Sequence, residues 1–187
     1  MTGSAVRLDP PLWNFSLAVY GRDGVADECL DVQERFGVDV NVLLLCAYAG
    51  ATEGAMLSDR DVADAIEAVG AWHAEAVRPL RQVRRTLKPY ETGQGAFASM
   101  AQALRARVKA AELEAERIEQ AMLWAWLEPR LSGLRRMDTR EALAANLRVL
   151  LARYGADPAY ALPRICRTAL EVGAQQTSSR TPEAVRR

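Results

Sequence analysis

His73 is the only histidine in 187 residues. It sits in the stretch GAWHAEAVRPLRQVRR, on a line of apolar residues where a valine or leucine would be ordinary. An imidazole held there beside a carboxylate can serve as a general base, and Glu75, Glu112 and Glu116 are the carboxylates that the expected helix pairing brings closest. The plainer reading is a histidine hydrogen-bonded in or beside the core, which leaves His73 and Glu112 as weak catalytic candidates. A metal centre is not expected, because sites built in helical bundles generally include Glu-x-x-His pairs and none occurs here. No serine lies in a G-x-S-x-G turn, and Cys29 and Cys46 sit inside apolar runs, which raise a thiol's pKa. The segment GAFASMAQ lacks the closing Gly-Lys-Ser/Thr of a phosphate-binding loop. The sequence therefore points away from an enzyme and calls for no cofactor.

A second chemistry is anion binding. Arg78, Arg81, Arg84 and Arg85 fall close together, and a fold-back of the chain near Thr92 would bring Arg105, Arg107 and Lys109 beside them. The same fold-back sends Asp59, Asp61, Asp64, Glu112 and Glu119 to the far half, so one end of the pair would attract an acidic protein surface or another anion. The bland alternative is a solvated helix face whose ion pairs are worth only ~0.3–0.5 kcal/mol each. Formal net charge is zero, so no overall field favours nucleic acid. Asn41 and Asp39 open the most apolar run, GVDVNVLLLCAYAG, where they read as the capped start of a helix or as the floor of a polar pocket. Trp72, adjacent to His73, is a large anchor for a core or a binding surface.

Helices must position these groups. Asp9-Pro10-Pro11 starts the first, which Gly21 ends, and a second runs from Asp23 to Gly37. The run from Val40 is apolar on every face and suits a central buried helix. Ser58-Asp59-Arg60-Asp61 forms a capping box for a long helix, and Pro79 predicts a kink near Ala76 or Val77. Residues 89–95 read as a loop. Phe97, Met100, Leu104, Val108, Ala111, Ala115, Ile118 and Met122 then mark the seam of a second long helix, antiparallel to the first. With the fold-back near Thr92, His73 faces Ala111 and Glu112, and Arg78 faces Ala106. Asp138 starts a further helix, a last one begins near Pro158 or Pro163, and residues 174–187 have the composition of a disordered tail.

Length and composition bound the class. The chain can close one sizeable core, and its alanine, leucine and arginine content suits helices over sheets. Three widely separated cysteines form no CxxC pair, so free thiols are expected. The apolar run from Val42 to Ala51 is about half of the roughly 20 residues that span a bilayer, and the N-terminus lacks the features of a secretory signal, so a cytoplasmic protein is expected. Three blocks, LWNFSLAVYGRDGVADECLDVQERFGVDVNVLLLCAYAG, WHAEAVRPLRQVRRTLK and VKAAELEAERIEQ, resemble an uncharacterised bacterial family known as domain of unknown function 2390. The resemblance covers about residues 12–127 and implies a shared helical unit, with residues 134–173 as an extension; it implies no activity.

The expectation is an all-α, single-domain helical bundle over residues 1–173, built around a long antiparallel helical hairpin. The leading functional expectation is a non-enzymatic interaction module that holds an acidic partner through Arg78, Arg81, Arg84 and Arg85. The alternative is a small-molecule-binding or catalytic protein with a pocket near His73, Glu112 and Asn41. A homodimer is expected if the hairpin carries more apolar seam than one chain covers.

Overall fold

Pro11 occupies the first helical position of α1 (Pro11–Tyr20), where a missing amide costs nothing, in a computed structural model that describes residues 10–92 and 95–180. The expected cap Asp9 lies outside the described residues. Helix α2 (Val25–Phe36) is amphipathic and ends at Gly37, whose φ of 74° suits a residue without a Cβ. Helix α3 (Val40–Ala51) follows at once and is buried along nearly its whole length, as its all-round apolarity requires. Tyr48 of α3 meets Phe15 and Trp124 edge to face, with ring centroids 5.3 and 5.7 Å apart.

Helix α4 (Asp59–Trp72) begins with the capping box expected from Ser58 and Asp61. It then widens into a π-helical turn over His73–Val77 before α5 (Arg78–Leu87) resumes. Pro79 explains the position of that turn. It has no amide to donate to the carbonyl of Glu75, and the amide of Arg78 reaches back five residues to the His73 carbonyl. Helix α6 (Ala96–Leu127) returns antiparallel against α4 and α5, completing the long hairpin. Helices α7 (Thr139–Arg153) and α8 (Pro163–Arg180) close the bundle. The protein is all-α; the one extended pairing among the described residues is an isolated bridge between Ala55 and Arg136.

Four expectations are corrected. Residues 88–92 form a 3-10 turn that prolongs α5, instead of opening a loop at Pro89. The reversal therefore comes later in the chain, and α6 is displaced by roughly two helical turns: His73 meets Glu119, not Glu112, and Trp72 reaches the Ala115 carbonyl. The buried stripe of α6 also differs from the apolar seam. Phe97, Met100 and Leu104 are exposed, while Glu112, Ala115, Glu119, Leu123 and Trp124 face inward. Lastly, α8 continues past Gly173 to Arg180. Gly173 is a contact point and not a terminator, since a Cβ there would lie 2.5 Å from the Ala51 carbonyl oxygen. Gly50 plays the same part where α3 crosses α7, with a Cβ position 2.4 Å from the Cα of Leu143.

Candidate functional site

Asp39 caps α3 with one oxygen, which accepts the amide of Asn41 at 2.9 Å. Its other oxygen, Oδ2, lies 3.1 Å from Nδ1 of His73. The π turn presents His73 to α6 as well, and the same Nδ1 lies 3.0 Å from Oε1 of Glu119. Oε2 of Glu119 accepts from the side-chain amide of Asn41 at 2.6 Å, and Asn41 in turn accepts from Gln120 at 2.9 Å. Glu119 is fully buried, Asp39 nearly so, and the His73 side chain remains 19% exposed, which makes it the network's contact with the surface.

The electrostatics follow from this crowding. Burial disfavours a charged imidazole, but the hydrogen bonds and charges of Asp39 and Glu119 outweigh it and push His73 up to about 9. Burial raises Glu119 to about 7, helped by the Asp39 charge and opposed by the hydrogen bond from His73. Burial also opposes ionisation of Asp39, yet its hydrogen bonds from His73 and the Asn41 amide hold it below the usual carboxylate range. Near neutral pH the network thus contains a cationic imidazole, an aspartate and a partly protonated glutamate. Asp39, His73 and Glu119 offer ligand atoms within 4.8 Å of one another, a set of residue types that suits a divalent cation. No sequence spacing announces that set, because it is assembled from the start of α3, the π turn and α6.

Beside the network stands a wall of ion pairs. Arg81 donates to Glu112 at 3.2 Å, to Glu116 at 2.7 Å and to Gln33 of α2 at 2.6 Å. Arg84 grips the buried Glu112 with Nε and, at 3.1 Å, with Nη2. The expected segregation of basic and acidic halves is therefore corrected: the register shift sets Glu112 and Glu116 against the arginines. Glu116 is half-buried, and burial lifts its pKa against the pull of Arg81.

Two cavities flank this wall, so the expected single pocket near His73, Glu112 and Asn41 is divided. The first, a cleft of about 440 Å³, has Asp39, His73, Arg78, Arg81, Arg85 and Tyr154 on its walls. The second, a groove of about 420 Å³ between α1, α2 and α6, is lined by Asn41, Arg84 and Glu112 and by apolar side chains of α1. Arg81, Arg85 and Gln33 border both. Arg78 has no hydrogen bond or ion pair among the described residues, and Arg85 has only a 3.6 Å approach to the exposed Glu34. Trp72 borders neither cavity; its indole donates to Ala115 at 2.9 Å and pins α4 to α6. The sequence singles out neither Gln120 nor Gln33, sets Ser16 aside with the other serines, and places Glu119 only among the acidic residues of α6. The signal for Glu119 was its place four residues after Ala115, on the stripe that packs inward.

A helical protein with a buried histidine–carboxylate network and an adjoining arginine-lined cleft is the class these features define. The chain belongs to the family described as a protein of unknown function, DUF2390, whose model matches residues 11–123. The match runs from the first residue of α1 almost to the end of α6, taking in Asp39, His73, Arg81, Glu112 and Glu119, and stops short of α7 and α8. Comparisons with curated proteins and with solved structures gave no match.

Proposed function

We propose that this protein binds a small organic or inorganic anion in the cleft beside His73. The observation that carries the reading is the cleft's charge: Arg78, Arg81, Arg85 and His73 share its walls with a single carboxylate, Asp39, among the described residues. Arg81 is balanced by Glu112 and Glu116, and His73 by Asp39 and Glu119, which leaves Arg78 and Arg85 to meet a ligand. Arginine's planar fork suits carboxylate and phosphate alike. With a pKa of about 9, His73 is cationic at neutral pH, a state that favours anion binding over service as a general base.

A docking module for an acidic protein surface has less support, because Arg81 and Arg84 are already committed to Glu112. The proposal places the protein in the cytoplasm, where its free Cys29, Cys46 and Cys166 would stay reduced; no helix is long and apolar enough to cross a membrane among the described residues. It also retains a homodimer, with a second copy covering the exposed Phe97, Met100 and Leu104 of the hairpin tip. Sedimentation that stays monomeric at high concentration removes the dimer.

Calorimetric titration with inorganic phosphate and with succinate tests the anion cleft. At least one should bind saturably, weaken as ionic strength rises, and lose about tenfold in affinity, ~1.4 kcal/mol, in Arg78→Ala. Arg78 is exposed, so the substitution leaves the fold intact. Binding that ignores both salt and Arg78 contradicts the proposal.

A further inference from the structure

We infer that the ligand is amphipathic, with an apolar chain lying in the groove between α1, α2 and α6 and its anionic end at Arg85; this rests on the anion-cleft reading above and names the class of molecule it takes. Three independent features of the groove support it. Its walls are apolar and open: Leu17, Tyr20, Leu30 and Leu113 are 51%, 41%, 42% and 51% exposed, and all four line the same groove. Large apolar side chains gathered around one concavity, instead of scattered, mark a surface that something covers.

Its floor carries polar atoms with nothing to bond. Ser16 and Gln120 line the groove and are 3% and 2% exposed, yet Ser16 Oγ and Gln120 Oε1 have no hydrogen-bond partner among the described residues. The direction of the Gln120 amide is not arbitrary. Glu119 Oε2 fixes Asn41 with its amide nitrogen toward the carboxylate, Asn41 Oδ1 then takes the Gln120 nitrogen, and Gln120 Oε1 is left as an acceptor. Burying an acceptor unpaired is costly, so the groove asks for an O–H or N–H group part-way along an otherwise apolar chain. A hydroxyacyl or amide-bearing chain has that pattern.

Its rim is cationic. Lys109 has no partner among the described residues, and Arg85 borders this groove and the cleft beside His73 together. A molecule whose chain fills the groove can therefore set its carboxylate or phosphate over Arg85 without leaving the protein. A second copy of the chain would cover the exposed leucines but has no reason to need a donor at the floor.

The test compares acetate, decanoate and 3-hydroxydecanoate, each below micelle-forming concentration, by quenching of tryptophan fluorescence and by calorimetry on the whole protein. Decanoate should bind at least tenfold tighter than acetate, and 3-hydroxydecanoate tighter still. Leu113→Asp, at a half-exposed rim position, should abolish the gain from the chain while sparing acetate binding, and Gln120→Leu should abolish the gain from the hydroxyl. Arg78→Ala should weaken acetate and decanoate by the same factor. If chain length changes affinity less than twofold, the inference fails, and the anion cleft survives provided acetate binding still depends on Arg78. If decanoate binds through Leu113 with no contribution from Arg78, the cleft reading fails and the groove stands. Concentration-dependent dimerisation abolished by Leu113→Asp would make the groove an interface between copies and overturn the ligand.

Discussion

His73 and Glu112 were visible in the sequence as chemistry-bearing residues, but their partners were not, because partnership is set by register and register by where the hairpin turns. Glu112 proves to be the shared anchor of Arg81 and Arg84. Glu112→Ala takes away the carboxylate that holds Arg84 and one of the two that hold Arg81, and urea unfolding should record a loss of about 3 kcal/mol, with Glu112→Asp losing less. The histidine predicts a pH dependence whose sign is fixed by its raised pKa. The folded state holds the His73 proton more tightly than the unfolded chain does, so its stabilisation is complete below about 6.5 and is lost as pH climbs through about 9. Glu119, raised to about 7, contributes in the same direction, while the lowered Asp39 acts only in acid. Unfolding free energy should therefore fall between pH 6.5 and 9, with His73 alone contributing at most ~1.4 kcal/mol per pH unit and Glu119 adding to the slope near the lower end. His73→Gln, which cannot ionise, should flatten the part of that slope above pH 7.5; an unchanged slope would disprove the role given to the imidazole.

At the scale of elements, the helices were the legible part. Ser58 and Asp61, Asp39 and Gly37 act locally, so their caps could be read from neighbours in the chain. Pro79 marked the break correctly, though nothing in the sequence specified that it would be a π turn aimed at α3 and α6. The apolar seam through Phe97 and Met100 misled, because the inward stripe of α6 is partly polar: Glu112, Glu119 and Gln120 stand where core residues were expected. Glycines carry information of the same non-local kind. Gly50 and Gly173 admit no Cβ, since backbone of α7 and of the α3 end already fills the space. Gly50→Ala must push α7 away from α3 and should lower stability by about 3 kcal/mol, whereas Gly70→Ala, with nothing near its Cβ position, should be neutral or slightly stabilising. Equal effects at the two positions in a thermal melt would contradict the crossing described.

For the whole molecule, the consequence is that a chain of zero net charge still presents a local excess of cations, because Arg78 and Arg85 stand outside the ion-pair wall that neutralises Arg81 and Arg84. The family match covers the helices that make this arrangement, from α1 through most of α6, and the two C-terminal helices pack around them. The most direct measurement is NMR of the arginine Nε–H groups during a titration with inorganic phosphate. Saturable shifts are expected at Arg78 and Arg85, with Arg84, whose Nε is held by Glu112, unmoved. Shifts spread evenly over all arginines, or a response led by Arg84, would contradict the anion cleft.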